Sequence, residues 1–509
     1  MVRRAMADSP HAHGPEGDGG RSDTLVAVRN AAVLGASLLA TWSVALVVRM
    51  VLPRALGPER FGQYNFADSF TTTCAIALSF GIETYVQKEV PSRPEHAKDF
   101  VGGTLAARFG AIALVMAGQH LFAVLTHRPD DVRRSLFVFA LAQLAQFDAN
   151  LFAAILHATR SVGRLAVLNV ASKILWAGGT LATVVWGGGR LELLAASFLA
   201  SELVRVFALA AITRRKLHLP LVVDAKATLA AMRAALPYYV NVIAITVYAK
   251  IDVTIMTLQL PDEEVGWYGT AWGVAGITML LTPLMSAVLM PQLSRAASRS
   301  KEELYEMFRR SAELLLILAI PVSLLMGISA DLVMGKVFGE KFLPAVWALR
   351  MLAPMFVLTY LAMLGAMTLV LSGRGWTATG ISLGSIAANA ALNTFLLRPG
   401  HERFGTGGGG TTAAAISVTT EVLVTIAMVV AMGARHAFDK KNLSVLAKCA
   451  LACAAAIGAH VALASIGHAR VLVACVVYAI VALATGAVRP AELVAIVRDA
   501  WRRRRGASA

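Results

Sequence analysis

Charge is what this chain has least of. Only 15% of its 509 residues are Asp, Glu, Lys or Arg, against roughly 25% in an average soluble domain. That shortage excludes a string of ordinary soluble domains. Cysteines number four. Cys74, Cys449, Cys453 and Cys475 all fall in apolar runs without companion ligands. Neither a disulfide framework nor a metal cluster is expected, and the four read as packing residues. Long polar loops are missing too. The longest lie around 214–235 and 290–313, too short for an extramembrane catalytic domain. The stretch Gly405–Gly410 (GTGGGG) lacks the Lys-Ser/Thr of a phosphate loop and reads as a flexible linker. No paired carboxylates or nucleophile constellation stands outside the apolar runs. An enzyme is therefore not expected, and no cofactor or metal is implied.

Apolar residues fill the remaining space, at 57% of the chain. They come in runs of about 20, each long enough to cross a hydrocarbon core of ~30 Å. Fourteen spans are predicted: 27–52, 62–86, 101–126, 136–158, 165–187, 191–213, 236–259, 265–289, 314–335, 345–371, 377–397, 411–433, 445–467 and 470–488. Residues 1–25 are polar and read as a disordered N-terminus. With that end placed in the cytoplasm, well over half of the 47 Lys and Arg fall on the cytoplasmic side, as the positive-inside rule requires. The net charge of +16 is thus a matter of topology, and nucleic acid is not expected as a partner. Both termini are placed inside. The basic tail 489–509, with Arg502 to Arg505 after Trp501, serves as a further anchor beside anionic lipid.

One phrase is written twice. LGPERFGQY (Leu56 to Tyr64) is echoed by LPDEEVGWY (Leu260 to Tyr268), and AASFLASELV (Ala195 to Val204) by AAISVTTEVL (Ala414 to Leu423). The echoes fall in corresponding positions of two halves. The expected plan is an all-α membrane protein of two pseudo-symmetric six-helix lobes. The N-lobe is 26–213, the inter-lobe linker 214–235, the C-lobe 236–433, and 434–488 adds two helices. An even helix number gives both lobes one orientation, a transporter plan with its site between the lobes near the midplane.

Several of these stretches resemble the Wzx-type polysaccharide and oligosaccharide flippases of the MATE-like superfamily. They are LGPERFGQY, LFAAILHATRSVGRLAVLNV, MPQLSR, VFGEKFLPAVWALRMLAP, LVLSGRGW and the Ala-rich run to Glu421. The resemblance implies a V-shaped pair of lobes around a central cavity. It implies alternating access, with a prenyl-diphosphate-linked oligosaccharide carried from the cytoplasmic to the outer leaflet of a bacterial plasma membrane. That cargo would be a repeat unit of lipopolysaccharide O-antigen, capsule or exopolysaccharide. It would be handed on to a polymerase and its chain-length regulator. A lipid II flippase or a MATE-type cation-coupled exporter are the alternatives, followed by a membrane polysaccharide polymerase or ligase.

Charges inside the spans are costly, about 2.5–3.5 kcal/mol each at a helix centre, so each needs a partner or a cavity. Depth along the spans pairs Arg49 with Asp68, Asp148 with Lys173, Asp331 with Arg350, and Glu202 with Arg205. Glu83 and Arg108 match less well, and Lys448 snorkels. Lys250 and Asp252 are two residues apart and cannot neutralise each other. Asn65, Asp68, Thr72, Ser79 and Glu83 form a polar stripe on the second span. Tyr238, Asn241, Tyr248 and Asp252 form one on the seventh. These spans are read as cavity walls. Arg49, Arg108 and Lys250 are the candidate diphosphate contacts, since guanidinium and ammonium groups suit phosphate oxygens. Thr72, Ser79, Asn241 and Tyr248 face the sugars, and Asp68, Asp252 and Glu421 are candidates to bind a coupling Na⁺ or H⁺.

Overall fold

The structure, a computed structural model, describes residues 19–91, 93–158, 162–217, 222–433 and 437–487. The terminal stretch 1–18 and the basic tail with Trp501 lie outside the described residues. Every described regular element is helical. Apolar runs in lipid have to satisfy each backbone donor and acceptor within themselves, and a helix does so.

Helix α1 (Gly19–Ala75) starts inside the stretch expected to be disordered and contains the first predicted span and the first part of the second. They are divided by Gly57, whose φ of 76° and ψ of 170° are not helical. The second lobe makes the same hinge differently. Helix α7 (Ala225–Gln259) ends at an extended Leu260, and Pro261 opens α8 (Asp262–Ala275). Between these hinges run α2 (Ile82–Glu89), α3 (Ala97–Leu125), α4 (Asp130–Ala158), α5 (Val162–Trp186) and α6 (Leu191–Leu217). The second lobe continues with α9 (Thr282–Arg299), α10 (Lys301–Ile328) and the one-turn α11 (Ala330–Leu332). It closes with α12 (Val346–Leu352), α13 (Met355–Leu371), α14 (Gly375–Phe404) and α15 (Gly408–Met432). A final hairpin comprises α16 (Lys440–Ala462) and α17 (Ala469–Ala484).

Eleven helices among the described residues are long and apolar enough to cross a membrane. The count falls below fourteen in three places. Gly35–Leu78 merges most of the first two predicted spans into one. The eighth predicted span is broken at the short helix Thr278–Leu281. Helix α17 has only 16 residues.

Each lobe has its own core. Val48, Leu52, Phe66, Phe70, Phe139 and Leu194 pack together in the first. Val253, Met256, Tyr268, Phe338, Phe342 and Ala413 do so in the second. Helix α7 belongs to both lobes. Its Ala231 and Ala235 are buried with Val86, Phe100 and Ile155 of the first lobe, whereas its Val253, Met256 and Leu260 lie in the second lobe's core. The residues between, 238–250, run along the seam.

Both lobes interrupt a helix at the same depth. After Ala75, α1 gives way to the short helix Ile76–Leu78 and a turn at Phe80 and Gly81, with φ of 51° and 69°. In the second lobe α8 stops at Ala275. Carbonyls released by such breaks need donors. Arg108 supplies them in the first lobe, and the Tyr360 hydroxyl donates to the Thr278 carbonyl at 3.0 Å in the second.

Candidate functional site

The repeated phrase forms a seal. Gly62 and Gly266, the equivalent glycines of the two copies, face each other across the lobes. A Cβ on Gly62 would collide with the Asp262 carbonyl, and a Cβ on Gly266 with the Pro58 carbonyl. Backbones approach this closely in membranes only where side chains are absent. Charges lock the contact. Arg128 of the first lobe pairs with Asp262 at 3.2 Å, donates to the Thr257 carbonyl, and lies 5.0 Å over the Phe66 ring. Gln63 donates to the same Asp262 carboxylate at 3.2 Å. Arg54 reaches the carbonyls of Lys336 and Val337 at 3.2 and 3.0 Å. The sequence reading missed Arg128, Asp262 and Gln63. The signal for two of them was the echo itself, which contains Gln63 and Asp262.

Beneath the seal the lobes meet through an ion pair. Lys250 of α7 donates to Asp68 of α1 at 3.1 Å and to the Ser69 hydroxyl at 3.3 Å. Both charged side chains keep about a third of their surface accessible, 31% and 30%. The expected Arg49–Asp68 pair is therefore replaced. Arg49 is exposed and forms no ion pair among the described residues. Its guanidinium lies close to Gly276 across the seam. Lys250, Asp68 and Arg49 are thus brought together on the seam, where the substrate contacts were placed.

Two acids lie on the second-lobe side. The Tyr268 hydroxyl donates to Asp252 at 2.6 Å, and Ser417 donates to it at 3.4 Å. The Tyr248 hydroxyl donates to Glu421 at 2.7 Å. Each carboxylate is 5% exposed, and neither forms an ion pair among the described residues. The hydroxyls of Tyr248 and Tyr268 are therefore committed to carboxylates. The side chain of Asn241 lies outside the described residues.

The polar stripe of the second span is not one continuous wall. The break at 76–81 sends its lower part into the first lobe. Before the break Thr72 already accepts from Gln143 at 2.9 Å, and within it Ser79 is buried with its carbonyl bound by Arg108. Arg108 itself, expected at the diphosphate, is 0% exposed. Its five donor positions are spent on the carbonyls of Leu78, Ser79 and Phe147 and on Glu83 (2.6 Å) and Asp148 (3.2 Å). It is a staple for the broken helix. Removing one side of such a buried arrangement costs about 3–5 kcal/mol. Arg108→Ala is accordingly expected to lower the melting temperature of the detergent-purified protein by several degrees, as differential scanning fluorimetry would read.

The remaining pairs divide similarly. Glu202–Arg205 forms at 2.9 Å and Asp331–Arg350 at 3.5 Å, with Arg470 joining the latter. Asp148 goes to Arg108, so Lys173 is left over the rings of Trp176 (5.1 Å) and Phe198 (6.0 Å). Gly405–Gly410 is not a slack linker. It leads into α15, whose N-terminal donors are capped by the buried carboxylate of Glu264: Gly407 and Gly410 donate to it at 2.7 and 2.9 Å. A helix N-terminus favours such an anion, and the glycines let α8 approach.

Comparison with known proteins agrees with this architecture. Residues 27–297 match the family described as polysaccharide biosynthesis protein. The chain is 26% identical over 348 residues to the probable low-salt glycan biosynthesis flippase Agl15 of Haloferax volcanii, spanning 68% of this chain and 72% of that protein. Among solved structures, the lipid II flippase MurJ in an inward closed conformation superposes with a TM-score of 0.65 at 10% identity, covering 88% of this chain and 99% of MurJ. An inward-facing MATE family multidrug resistance transporter of the MOP superfamily gives 0.59 at 14% identity, covering 77% and 94%. At these identities the two structures bear on the fold alone.

Proposed function

Because the chain belongs to the polysaccharide biosynthesis protein family, we propose that it is a flippase carrying a prenyl-diphosphate-linked oligosaccharide across the membrane by alternating access. The observation that carries this reading is the seam beneath the seal. Lys250 and Arg49 lie there with Asp68 as the accessible acid, while Asp252 and Glu421 are buried against tyrosine hydroxyls. A site with an excess of accessible base suits the anionic diphosphate of such a cargo. An exporter of organic cations would need the opposite balance. The same seam suits lipid II, whose head is also a prenyl diphosphate, so the glycan distinguishes that alternative.

The sealed end faces outward in this reading, because well over half of the Lys and Arg fall towards the other end. Both termini then lie in the cytoplasm of a bacterial plasma membrane. In the sealed state the diphosphate enters from the cytoplasmic side and competes with Asp68 for Lys250. Opening the seal breaks Arg128–Asp262 and separates Gly62 from Gly266, and the head leaves on the outer side. The prenyl chain stays in lipid throughout. Outside, a polymerase with its chain-length regulator takes the released unit.

Asp252 and Glu421 supply the coupling. A buried carboxylate answered only by hydroxyls is costly when ionised, and binding H⁺ or Na⁺ neutralises it. Ion occupancy thereby biases the two states of the transporter. Asp252→Asn is expected to retain downhill movement of lipid in proteoliposomes but to lose its stimulation by an imposed pH or Na⁺ gradient. Unaltered stimulation in this variant would remove Asp252 from the coupling site.

The experiment that tests the function is a lipid extraction from cells lacking the protein, analysed by mass spectrometry. A prenyl-diphosphate oligosaccharide accumulates if the reading holds, and its mass gives the repeat unit. Unchanged lipid intermediates with raised sensitivity to cationic drugs would transfer the protein to the exporters.

A further inference from the structure

Away from the seam, the C-terminal hairpin buries an unbalanced charge against the second lobe. Arg470, at the start of α17, pairs with Asp331 just beyond the end of α10. Arg350 approaches the same carboxylate at 3.5 Å and lies 4.9 Å from the centre of the Trp347 ring. Two guanidinium groups thus share one acid. His460, in the last turn of α16, is 6% exposed and lies within electrostatic reach of Arg470, Arg350 and Asp331. Both of its ring nitrogens, the Nε of Arg470 and one carboxylate oxygen of Asp331, Oδ1, are buried without a hydrogen-bond partner among the described residues. Native proteins leave few such groups unsatisfied, and each asks for a partner. Here the open donors are on Arg470 and His460, and Arg350 adds a second positive charge beside the single carboxylate of Asp331. The donors among them, Arg470 Nε–H and the protonated ring nitrogen of His460, suit the acceptor oxygens of an anion.

The same two helices shape what lies deeper. Between α10 and α17 runs an apolar groove of about 450 Å³, lined among others by Pro321, Leu325, Cys475, Tyr478 and Ala482. Tyr478 follows Arg470 on one helix by about two turns, or ~12 Å along its axis. The charged corner sits at helix ends, at the level of the seal where Arg54 meets the carbonyls of Lys336 and Val337, and the groove lies alongside the apolar length of α17. A charged head and an apolar chain are accommodated side by side.

We propose that this corner is a binding site for an anionic phospholipid. Its phosphodiester is held by Arg470, Arg350 and His460, and one acyl chain lies in the groove between α10 and α17. The site is separate from the inter-lobe seam: its charged residues belong to the outer flank of the second lobe and to the hairpin. The bound lipid is a resident ligand that fastens the hairpin to the lobe, and it does not travel with the cargo.

Native mass spectrometry of the delipidated full-length protein, titrated with phosphatidylglycerol, phosphatidylcholine or inorganic phosphate, tests this. Wild-type protein is expected to retain phosphatidylglycerol in preference to phosphatidylcholine. Arg470→Gln combined with His460→Gln is expected to weaken that retention roughly tenfold, as loss of charge-assisted bonds would. Ala479→Trp, at an exposed position lining the groove, fills it and leaves the charges intact, and is expected to weaken phosphatidylglycerol but not inorganic phosphate. Equal retention by wild type and the double variant would overturn the site. Inorganic phosphate competing as well as the lipid would overturn the lipid assignment in favour of a free-anion site. Should the double variant not fold, cryo-electron microscopy of the wild type in phosphatidylglycerol nanodiscs decides. Density for a phosphodiester beside Arg470 and His460 is expected, and a bare corner would refute the proposal.

Discussion

Gly62→Val is expected to reduce transport roughly a hundredfold while leaving insertion intact. The seal brings two backbones together at Gly62 and Gly266, and a side chain at either position meets a carbonyl of the opposite lobe. Overpacking costs about 1–3 kcal/mol where neighbours can shift, and a backbone carbonyl shifts little. A penalty near 3 kcal/mol falls on the sealed state alone. Each 1.4 kcal/mol is a factor of ten in its population. The variant should therefore rest with its lobes apart at this end. Gly266→Val should behave alike, because the pseudo-symmetry makes the two positions equivalent. Gly118→Val is the control, since Gly118 has nothing within 4 Å of its would-be Cβ. Two readouts check the prediction: flipping in proteoliposomes, and labelling of Asn65→Cys by a membrane-impermeant thiol reagent from the outside. Gly62→Val with normal flipping and a protected cysteine would mean that the seal is not a gate.

Lys250→Ala is expected to lower transport by about tenfold to a hundredfold, the worth of a lost charge-assisted hydrogen bond of roughly 1.5–3 kcal/mol. The Lys250–Asp68 pair by itself admits a purely structural role, and a double variant separates the two. If the pair only neutralises buried charge, Lys250→Met with Asp68→Asn restores transport, because neither charge is left alone. If Lys250 receives the diphosphate, the double variant remains inactive and Asp68→Asn alone stays active. Initial flipping rates of the four proteins, at matched reconstitution, give the answer.

The hinge was legible because it is written twice, and the lobes followed from it. The ion pairs Glu202–Arg205 and Asp331–Arg350 were legible because their partners are close along the chain or on consecutive spans. The partner of Asp68 was not. Depth in a span says how far down a charge lies, but not which helix of the other lobe faces it, and Lys250 took the place given to Arg49. Arg108 was misplaced for a related reason. Nothing between Ile76 and Gly81 resembles a proline break, so the freed carbonyls of Leu78 and Ser79 were invisible. A buried arginine with five local acceptors then looked like a phosphate ligand. Gly405–Gly410 was read from composition as slack, whereas Glu264 on another helix makes it a capped N-terminus.

In the proposed cycle the seam carries a prenyl-diphosphate oligosaccharide through a gate made by the repeated phrase. The most direct measurement of this passage uses purified protein in liposomes containing such a lipid, with a membrane-impermeant glycosidase outside. Wild-type protein should expose all of the glycan to the enzyme over time, and liposomes with the Lys250→Ala or Gly62→Val variant should leave the inner-leaflet fraction protected. Protection that is the same with wild-type protein as with empty liposomes would contradict the account.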